Sequence, residues 1–206
     1  MFLLLLPLLL WSCGGSTEES ASPSNGFQCI MPQDVQLHSG DVVFRKGTGM
    51  ASRVILKLDT AGIYSHSGIV VDSMGVKMIV HSVADEHDYE GDVDRVKMDT
   101  PEVYFSDFYA QIGEVCRFDD EAIAIKAAEI AMQAYKRRVL FDHDYDDSDT
   151  TKMYCSELVV YAYNRAGIDL VSPETRHEID LPVLQTRCIF PSDLCHSKYL
   201  KSIYKF

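Results

Sequence analysis

Three side chains in this sequence are of the types that form a thiol-based catalytic site: Cys155, His66 and His81. A cysteine attacks a carbonyl carbon as a thiolate, and an imidazole with an ordinary pKa of about 6.5 can take up the thiol proton at neutral pH. Taken alone, Cys155 also fits a buried, inert cysteine, and each histidine also fits a structural role. The elements that carry these residues therefore have to be considered before any chemistry is assigned.

Cys155 lies within the first turn of a predicted helix, residues 154–166, which Gly167 ends. A helix N-terminus favours an anionic thiolate through its dipole and its free N–H groups. Tyr154 and Ser156 flank the cysteine, and Asp142 lies in the acidic loop before the helix. We take these three residues as candidate substrate-binding residues. Asp142 fits equally well as a plain cap of its loop.

His66 and His81 lie in two predicted strands, residues 64–71 and 76–83, separated by a turn at Asp72 to Gly75. A tight antiparallel hairpin about this turn places His66 opposite His81 on one face of the sheet. In that position His81 can orient His66 and fix its tautomer, which is the role of the third member of a catalytic triad. The sequence therefore predicts a Cys155, His66 and His81 set.

The other elements predict a single α+β domain. Its length of 206 residues suits one hydrophobic core. Short strands are expected at residues 42–44, 95–98 and 113–118, and helices at 50–58, 101–109 and 121–137. The remainder of the chain predicts a tail with short elements. A strand-rich middle followed by helices is the pattern of an α+β domain.

The N-terminus resembles a lipoprotein signal. Residues 2–11 are apolar and uncharged, too short to span a bilayer but suited to the core of a secretory signal. The LWSC sequence ending at Cys13 resembles a lipidation site. We expect a signal at 1–12, a lipidated Cys13 and tether at 13–30, and a hydrolase domain at 31–206. This predicts a lipid-anchored protein of the bacterial cell envelope, periplasmic or outer-membrane associated. The alternative is that 1–12 form a buried core segment.

The net charge and the cysteine content indicate which partners, metals and disulfides to expect. The formal net charge of −12 repels phosphate backbones, so we expect no nucleic-acid partner. No cysteine or histidine spacing predicts a metal site, and no cofactor is expected. An exported chain meets an oxidising compartment, so disulfides are permitted among the cysteines outside the site. Of these, Cys188 and Cys195 are close enough in sequence to pair, and the others are Cys29 and Cys116.

Three segments together resemble a known family: HSGDVVF at 38–44, YSHSGIVV at 64–71 and YCSELVV at 154–160. They are similar to the permuted papain-like group of the NlpC/P60 superfamily, in particular the YiiX/YaeF-type envelope hydrolases. The resemblance covers residues 37–170 and includes the order of histidine before cysteine. It implies a circularly permuted papain-like fold, with an antiparallel sheet packed against the cysteine-bearing helix. It also implies that Cys155 is the nucleophile and His66 the base.

Two departures from this family bear on the substrate. The third polar residue of the group is often a glutamate, whereas His81 stands here, as in the similar lecithin retinol acyltransferase-like proteins. A tyrosine-aspartate pair common in the family is Phe141 and Asp142 in this chain. The expected function is a cysteine amidase or peptidase that hydrolyses a peptide or amide substrate, with cell-wall peptides as one candidate. The alternatives are a thiol-dependent lipid acyltransferase or esterase, and a non-catalytic envelope binding module.

Overall fold

The structure is a computed structural model that describes residues 26–146, 148–182 and 184–206. The predicted signal segment and Cys13 lie outside the described residues. Within these ranges the elements follow in chain order: β1 (Val42–Gly47), α1 (Met50–Leu58), β2 (His66–Ser73), β3 (Val76–Val83), β4 (Arg95–Asp99), α2 (Pro101–Tyr104), β5 (Ala110–Phe118), α3 (Glu121–Lys136), β6 (Leu140–Phe141), β7 (Lys152–Met153), α4 (Cys155–Ala166), β8 (His177–Leu181), β9 (Leu184–Cys188), α5 (Pro191–Cys195) and β10 (Leu200–Lys205).

Eight of these strands form one sheet in the order β10-β5-β1-β2-β3-β4-β6-β7, and β8 and β9 form a separate hairpin. The pairs of the large sheet are antiparallel, apart from the parallel pair of β6 and β7. The helices α3 and α4 pack against each other and against β2. The α+β fold with a cysteine-bearing helix packed on an antiparallel sheet is thus confirmed.

The two faces of the sheet bury different clusters because side chains alternate along each strand. The face under α3 and α4 includes Val42, Phe44 and Ile69, together with the alanine-rich face of α3. The opposite face includes Val43 and Val70 and is closed by aromatic residues from the α2 segment. The site therefore has to be traced face by face along β1, β2 and β3.

The β2–β3 hairpin has a register that differs from the sequence prediction. Met74 and Gly75 form its two-residue turn, with φ of 55° and 85°, so that Ser73 pairs with Val76. Positive φ at both central positions is the requirement of a type I′ turn. The turn lies one residue further along the chain than expected, so His81 lies across from Gly68. The prediction that His66 and His81 are directly opposite each other is therefore wrong, although both remain on one face.

The folded part includes residues that the sequence assigns to the tether. The backbone N–H of Ile30 donates to the Phe105 carbonyl at 2.9 Å, and that of Asp107 donates to the Gln28 carbonyl at 2.8 Å. These bonds fasten the first described residues beside α2. In the described ranges, no helix is long and apolar enough to cross a membrane.

Candidate active site

Cys155 and His66 line the same cavity, which has a volume of about 330 Å³. Cys155 is the first residue of α4 and His66 the first residue of β2, so each side chain lies where its element begins. Both are buried, with 6% and 8% of their surface exposed. The remaining wall is largely apolar and includes Met50, Ile55, Val83, Ala84, Phe108, Tyr109, Phe141 and Tyr145.

Behind His66, a chain of hydrogen bonds leads away from the cavity. His66 Nε2 lies 2.8 Å from His81 Nδ1, and His81 Nε2 lies 3.0 Å from Asp99 Oδ2. The ionised Asp99 can only accept, so His81 Nε2 carries a proton and donates it. His81 Nδ1 must then accept from His66 Nε2–H. We infer that His66 Nδ1 is the unprotonated nitrogen, which is the form that a base requires.

Asp99 ends β4 and is the member of this relay that the sequence interpretation missed. Lys97 Nζ lies 3.2 Å from its other carboxylate oxygen. Burial raises the pKa of Asp99, but the hydrogen bond from His81 and the positive charge of Lys97 outweigh it and bring the pKa to about 2. The alternating charged residues of β4, at 95, 97 and 99, lie in a strand that pairs with β3, and that pattern was the available signal.

Burial keeps the thiol and the imidazole neutral. It raises the pKa of Cys155, against the opposing effect of the Ser67 backbone and of Ser156. Burial also lowers the pKa of His66 well below its ordinary value, and the nearby positive charge of Arg45 acts in the same direction. The helix N-terminus was expected to favour a thiolate, but desolvation outweighs it here. A thiolate at Cys155 would therefore need a proton acceptor in the cavity, and His66 is an imidazole that lines it.

The thiol and the imidazole share the cavity without a direct hydrogen bond among the described residues. Cys155 Sγ lies 4.0 Å from Ser156 Oγ, and the Ser67 backbone also interacts with the thiol. Contacts between catalytic groups are often long before the substrate binds, so the shared cavity is the relevant geometry. Tyr104 packs edge-on against His81, with ring centroids 5.0 Å apart, and restrains the relay.

The three predicted substrate-binding residues do not lie on the cavity wall. Tyr154 and Ser156 are buried. The Tyr154 hydroxyl accepts a hydrogen bond from the Ile189 N–H at 2.9 Å. The Asp142 carboxylate accepts from the N–H groups of Asp144 and Asp146, at 3.1 Å and 2.6 Å. Asp142 therefore caps its loop, which is the second of the two roles that the sequence left open.

A buried ion pair supplies polar groups to the apolar cavity, and sequence reasoning did not identify it. Arg45 forms an ion pair with Glu86 and lies over the Tyr104 ring at 4.5 Å. Among the described residues, Arg45 Nε and Glu86 Oε2 are buried without a hydrogen-bond partner. Both residues line the cavity together with His66, and these two atoms are enclosed within its wall. An arginine inside the apolar strand β1 was the sequence signal for it.

In the described ranges, two groups of side chains bring metal-binding atoms within 4.8 Å of one another. The first is His81, Glu86 and Asp99, but both ring nitrogens of His81 already form hydrogen bonds in the relay. The second consists of Glu114, Cys116 and Cys195, away from the cavity. Cys195 therefore neighbours Cys116, and no disulfide joins any two of the five described cysteines. The suggested pairing of Cys188 with Cys195 does not occur here.

The sequence matches a known family, and the fold is similar to that of a solved structure. The sequence model of one family, described as permuted papain-like amidase enzymes, YaeF/YiiX, C92 family, matches residues 36–204. Among solved structures, the crystal structure of metalloprotein yiiX from Escherichia coli O157:H7 has a similar fold, with a TM-score of 0.66 and 18% sequence identity. The similarity covers 84% of this chain and 99% of that chain. No curated protein matches this chain.

Proposed function

We propose that Cys155 is the nucleophile of this chain. The chain belongs to the permuted papain-like amidase family of YaeF and YiiX and is a cysteine hydrolase of peptide or amide substrates. One observation carries the assignment of residues. Cys155 and His66 line the same cavity, and the His81–Asp99 relay leaves His66 Nδ1 free to act as a base. Among the described cysteines, Cys155 is the one that lines this cavity.

The reaction begins when His66 Nδ1 takes the proton of the Cys155 thiol. The sulfur attacks the carbonyl carbon of the substrate and forms a C–S bond, and the carbonyl oxygen becomes an oxyanion. Backbone N–H groups at the start of α4 are suited to stabilise this charge. The imidazolium then protonates the leaving amine as the C–N bond breaks. Water, deprotonated by His66, attacks the thioester, releases the acid and regenerates the Cys155 thiol.

The relay acts on the base and not on the substrate. When His66 takes up a proton, the positive charge is stabilised through His81 by the ionised Asp99. The relay also holds the imidazole in one orientation, because its Nε2 is engaged at 2.8 Å. His81 and Asp99 are therefore positioning residues, and Cys155 and His66 are the residues that touch the reacting atoms.

The cavity indicates the general shape of the substrate. Its apolar wall suits an apolar acyl portion, whereas the charged side chains of Arg45 and Glu86 in the same wall suit a polar group such as a peptide unit. The same apolar wall favours the second candidate function, which is transfer or hydrolysis of a lipid acyl ester. An amide substrate remains our proposal because the family consists of amidases.

We further propose that Cys13 carries a lipid anchor that holds the enzyme at the bacterial cell envelope. The apolar segment at residues 2–11, the LWSC sequence and the small, polar residues that follow support this proposal. In cells, a Cys13→Ser variant should leave the membrane fraction, and mass spectrometry of the intact protein should show no lipid. A lipid that remains on the variant would contradict the proposal.

The test of the function uses matched pairs of substrates with one acyl group and either an amide or an ester leaving group. Acid quenching followed by mass spectrometry should show the acyl group on Cys155. A Cys155→Ala variant should lose at least about 10³-fold in rate, whereas a Cys188→Ala control should retain activity. Amide hydrolysis that survives in Cys155→Ala would contradict the proposal. Hydrolysis confined to long-chain esters would favour the second candidate.

A further inference from the structure

A second buried polar cluster lies on the opposite face of the sheet from His66. Phe44 of β1 pairs with Glu114 of β5, and the next residue, Arg45, pairs with His66 of β2. Because neighbouring residues in a strand point to opposite faces, Glu114 lies on the face that α3 and α4 cover. Cys116 follows two residues later on the same face, and Cys195, the last residue of α5, approaches both.

The donor atoms of this cluster are spaced as the ligands of a tetrahedral cation are. Cys116 Sγ lies 3.5 Å from Glu114 Oε1, and Cys195 Sγ lies 3.6 Å from Glu114 Oε2. Zinc–sulfur and zinc–oxygen bonds of tetrahedral sites imply a sulfur–oxygen separation of about 3.6 Å. The three ligand atoms all lie within 4.8 Å of one another. Little movement is therefore needed to place one cation among them.

The surroundings balance the charge that such a cation would bring. Two thiolates and one carboxylate carry three negative charges, which a divalent cation reduces to one. Lys205 Nζ lies 3.4 Å from Glu114 Oε1 and supplies the remaining positive charge. Glu114 is only 1% exposed, so the carboxylate is enclosed.

We propose that Glu114, Cys116 and Cys195 bind one thiophilic divalent cation of the zinc class. Binding forms two metal–sulfur bonds and one metal–oxygen bond, and it releases the two thiol protons to solvent. The cation joins α5 to β5 beside β10, and so ties the C-terminal tail of the chain to the sheet. The site is structural, because none of its three residues lines the cavity that holds Cys155 and His66.

Co²⁺ is the probe, because thiolate ligation gives it an intense charge-transfer absorption. The reduced full-length protein carries a Cys155→Ser substitution, so that the thiol in the cavity cannot bind the ion. We expect the absorption to saturate at one equivalent of Co²⁺ and to disappear on addition of one equivalent of Zn²⁺. In a Cys195→Ser variant the absorption should be lost, and in Glu114→Gln the affinity should fall at least 10-fold.

Cys188→Ser is the matched control, because Cys188 is buried in a different cluster, with Phe141 and Ile179. It should bind Co²⁺ as the parent protein does. Zn²⁺ should raise the melting temperature of the parent and of this control, but not that of Cys195→Ser. Because Cys195 is half-buried, serine can replace it without leaving a cavity. This thermal readout also shows that the variant folds.

Three results would overturn the proposal. The first is the absence of a thiolate absorption in the reduced protein, and the second is an absorption that persists in Cys195→Ser. The third is a Cys116–Cys195 disulfide found by mass spectrometry together with no Co²⁺ binding after reduction, which would assign the pair to oxidation by a thiol oxidant. None of these measurements depends on hydrolase activity, so the site and the proposed function can fail separately.

Discussion

Two buried polar clusters, one at Cys155 and one at Cys116, each contain cysteine, but the neighbours of the cysteine differ. Cys155 lies at a helix N-terminus and shares a cavity with the imidazole of His66. Cys116 lies in the middle of β5 beside the Glu114 carboxylate and the Cys195 thiol, and it is 1% exposed. One thiol therefore shares a cavity with an imidazole, whereas the other neighbours a carboxylate and a second sulfur.

The neighbours of each thiol decide its chemistry. The hydrogen bond with Cys195, burial and the charge of Glu114 all raise the pKa of Cys116, so it is a poor nucleophile without a cation. Burial raises the pKa of Cys155 too, but polar groups of Ser67 and Ser156 oppose that rise. Residue type alone does not distinguish a nucleophile from a ligand; the partner group and access to the cavity do.

The largest expected effect comes from Asp99→Asn, which breaks the relay while keeping its shape. The amide of asparagine can donate to His81 Nε2, which reverses both tautomers and leaves His66 Nδ1 protonated. We expect kcat/KM for an amide substrate to fall by about 10²–10⁴-fold. Asp94→Asn is the control, since Asp94 bonds to the exposed His87 outside the relay. A loss of less than about 3-fold in Asp99→Asn would remove the relay from the mechanism.

Alkylation by iodoacetamide compares the two thiols in one sample. Peptide mass spectrometry should show Cys155 reacting faster than Cys116, and His66→Ala should slow Cys155 by about 10-fold or more without affecting Cys116. Because burial raises the pKa of Cys155, its rate should keep increasing with pH through the ordinary thiol range near 8.5. Equal rates at Cys155 in the wild type and His66→Ala would argue against a thiol–imidazole pair.

Gly68→Ala tests whether the relay depends on the absence of a side chain in β2. An added Cβ would lie 2.8 Å from Ile79 Cγ2 and 3.2 Å from His81 Cβ. We expect the free energy of unfolding in urea to fall by about 1–3 kcal/mol, with reduced activity. Gly49→Ala, whose Cβ meets nothing within 4 Å, should cost less than about 1 kcal/mol. Similar costs for both variants would show that the close approach is unimportant.

The last comparison concerns the dependence of stability on pH. Burial lowers the pKa of His66 and of His81 in the folded protein, whereas the unfolded chain binds protons near pH 6.5. Their contribution to stability is therefore present above about pH 6.5 and is lost as the pH falls below it, by at most about 1.4 kcal/mol per pH unit for each group. Urea unfolding at several pH values should show this slope.

A His66→Gln/His81→Gln double variant provides the comparison for that measurement. It should flatten the slope between pH 6.5 and 5, because the two buried groups that resist protonation are gone. The cluster at Glu114 contains no histidine and should not contribute in this range. An unchanged slope in the double variant would show that other groups account for the acid sensitivity.

Local sequence patterns correctly predicted several helices and strands. The helices at Met50–Leu58 and Cys155–Ala166 and the strand Val76–Val83 follow from hydrophobic spacing, with Gly167 in the left-handed conformation at the end of α4. The assignment of Cys155 and His66 as a pair depended on the family resemblance as well as on these elements. Their roles in catalysis remain proposals for the variants above to test.

The register of the hairpin is where local reasoning failed. The expected turn at Asp72 to Gly75 was correct in place, but its centre moved by one residue because Met74 and Gly75 adopt positive φ. Since partners in an antiparallel pair shift by two for each such step, His81 came to lie across from Gly68. His66 and His81 still meet diagonally, and an added Cβ at Gly68, which lies between them, would come within 3.2 Å of His81 Cβ.

The sequence by itself determined the classes of element, the hairpin and the cysteine-bearing helix, because short-range spacing and turn residues specify them. Only the tertiary structure decided which polar groups meet. Asp99 joins His81, Arg45 meets Glu86, and Cys195 approaches Cys116 across separations that no local pattern encodes. Such contacts depend on strand order and on how the chain closes over the sheet, and both are fixed by burial of the whole core.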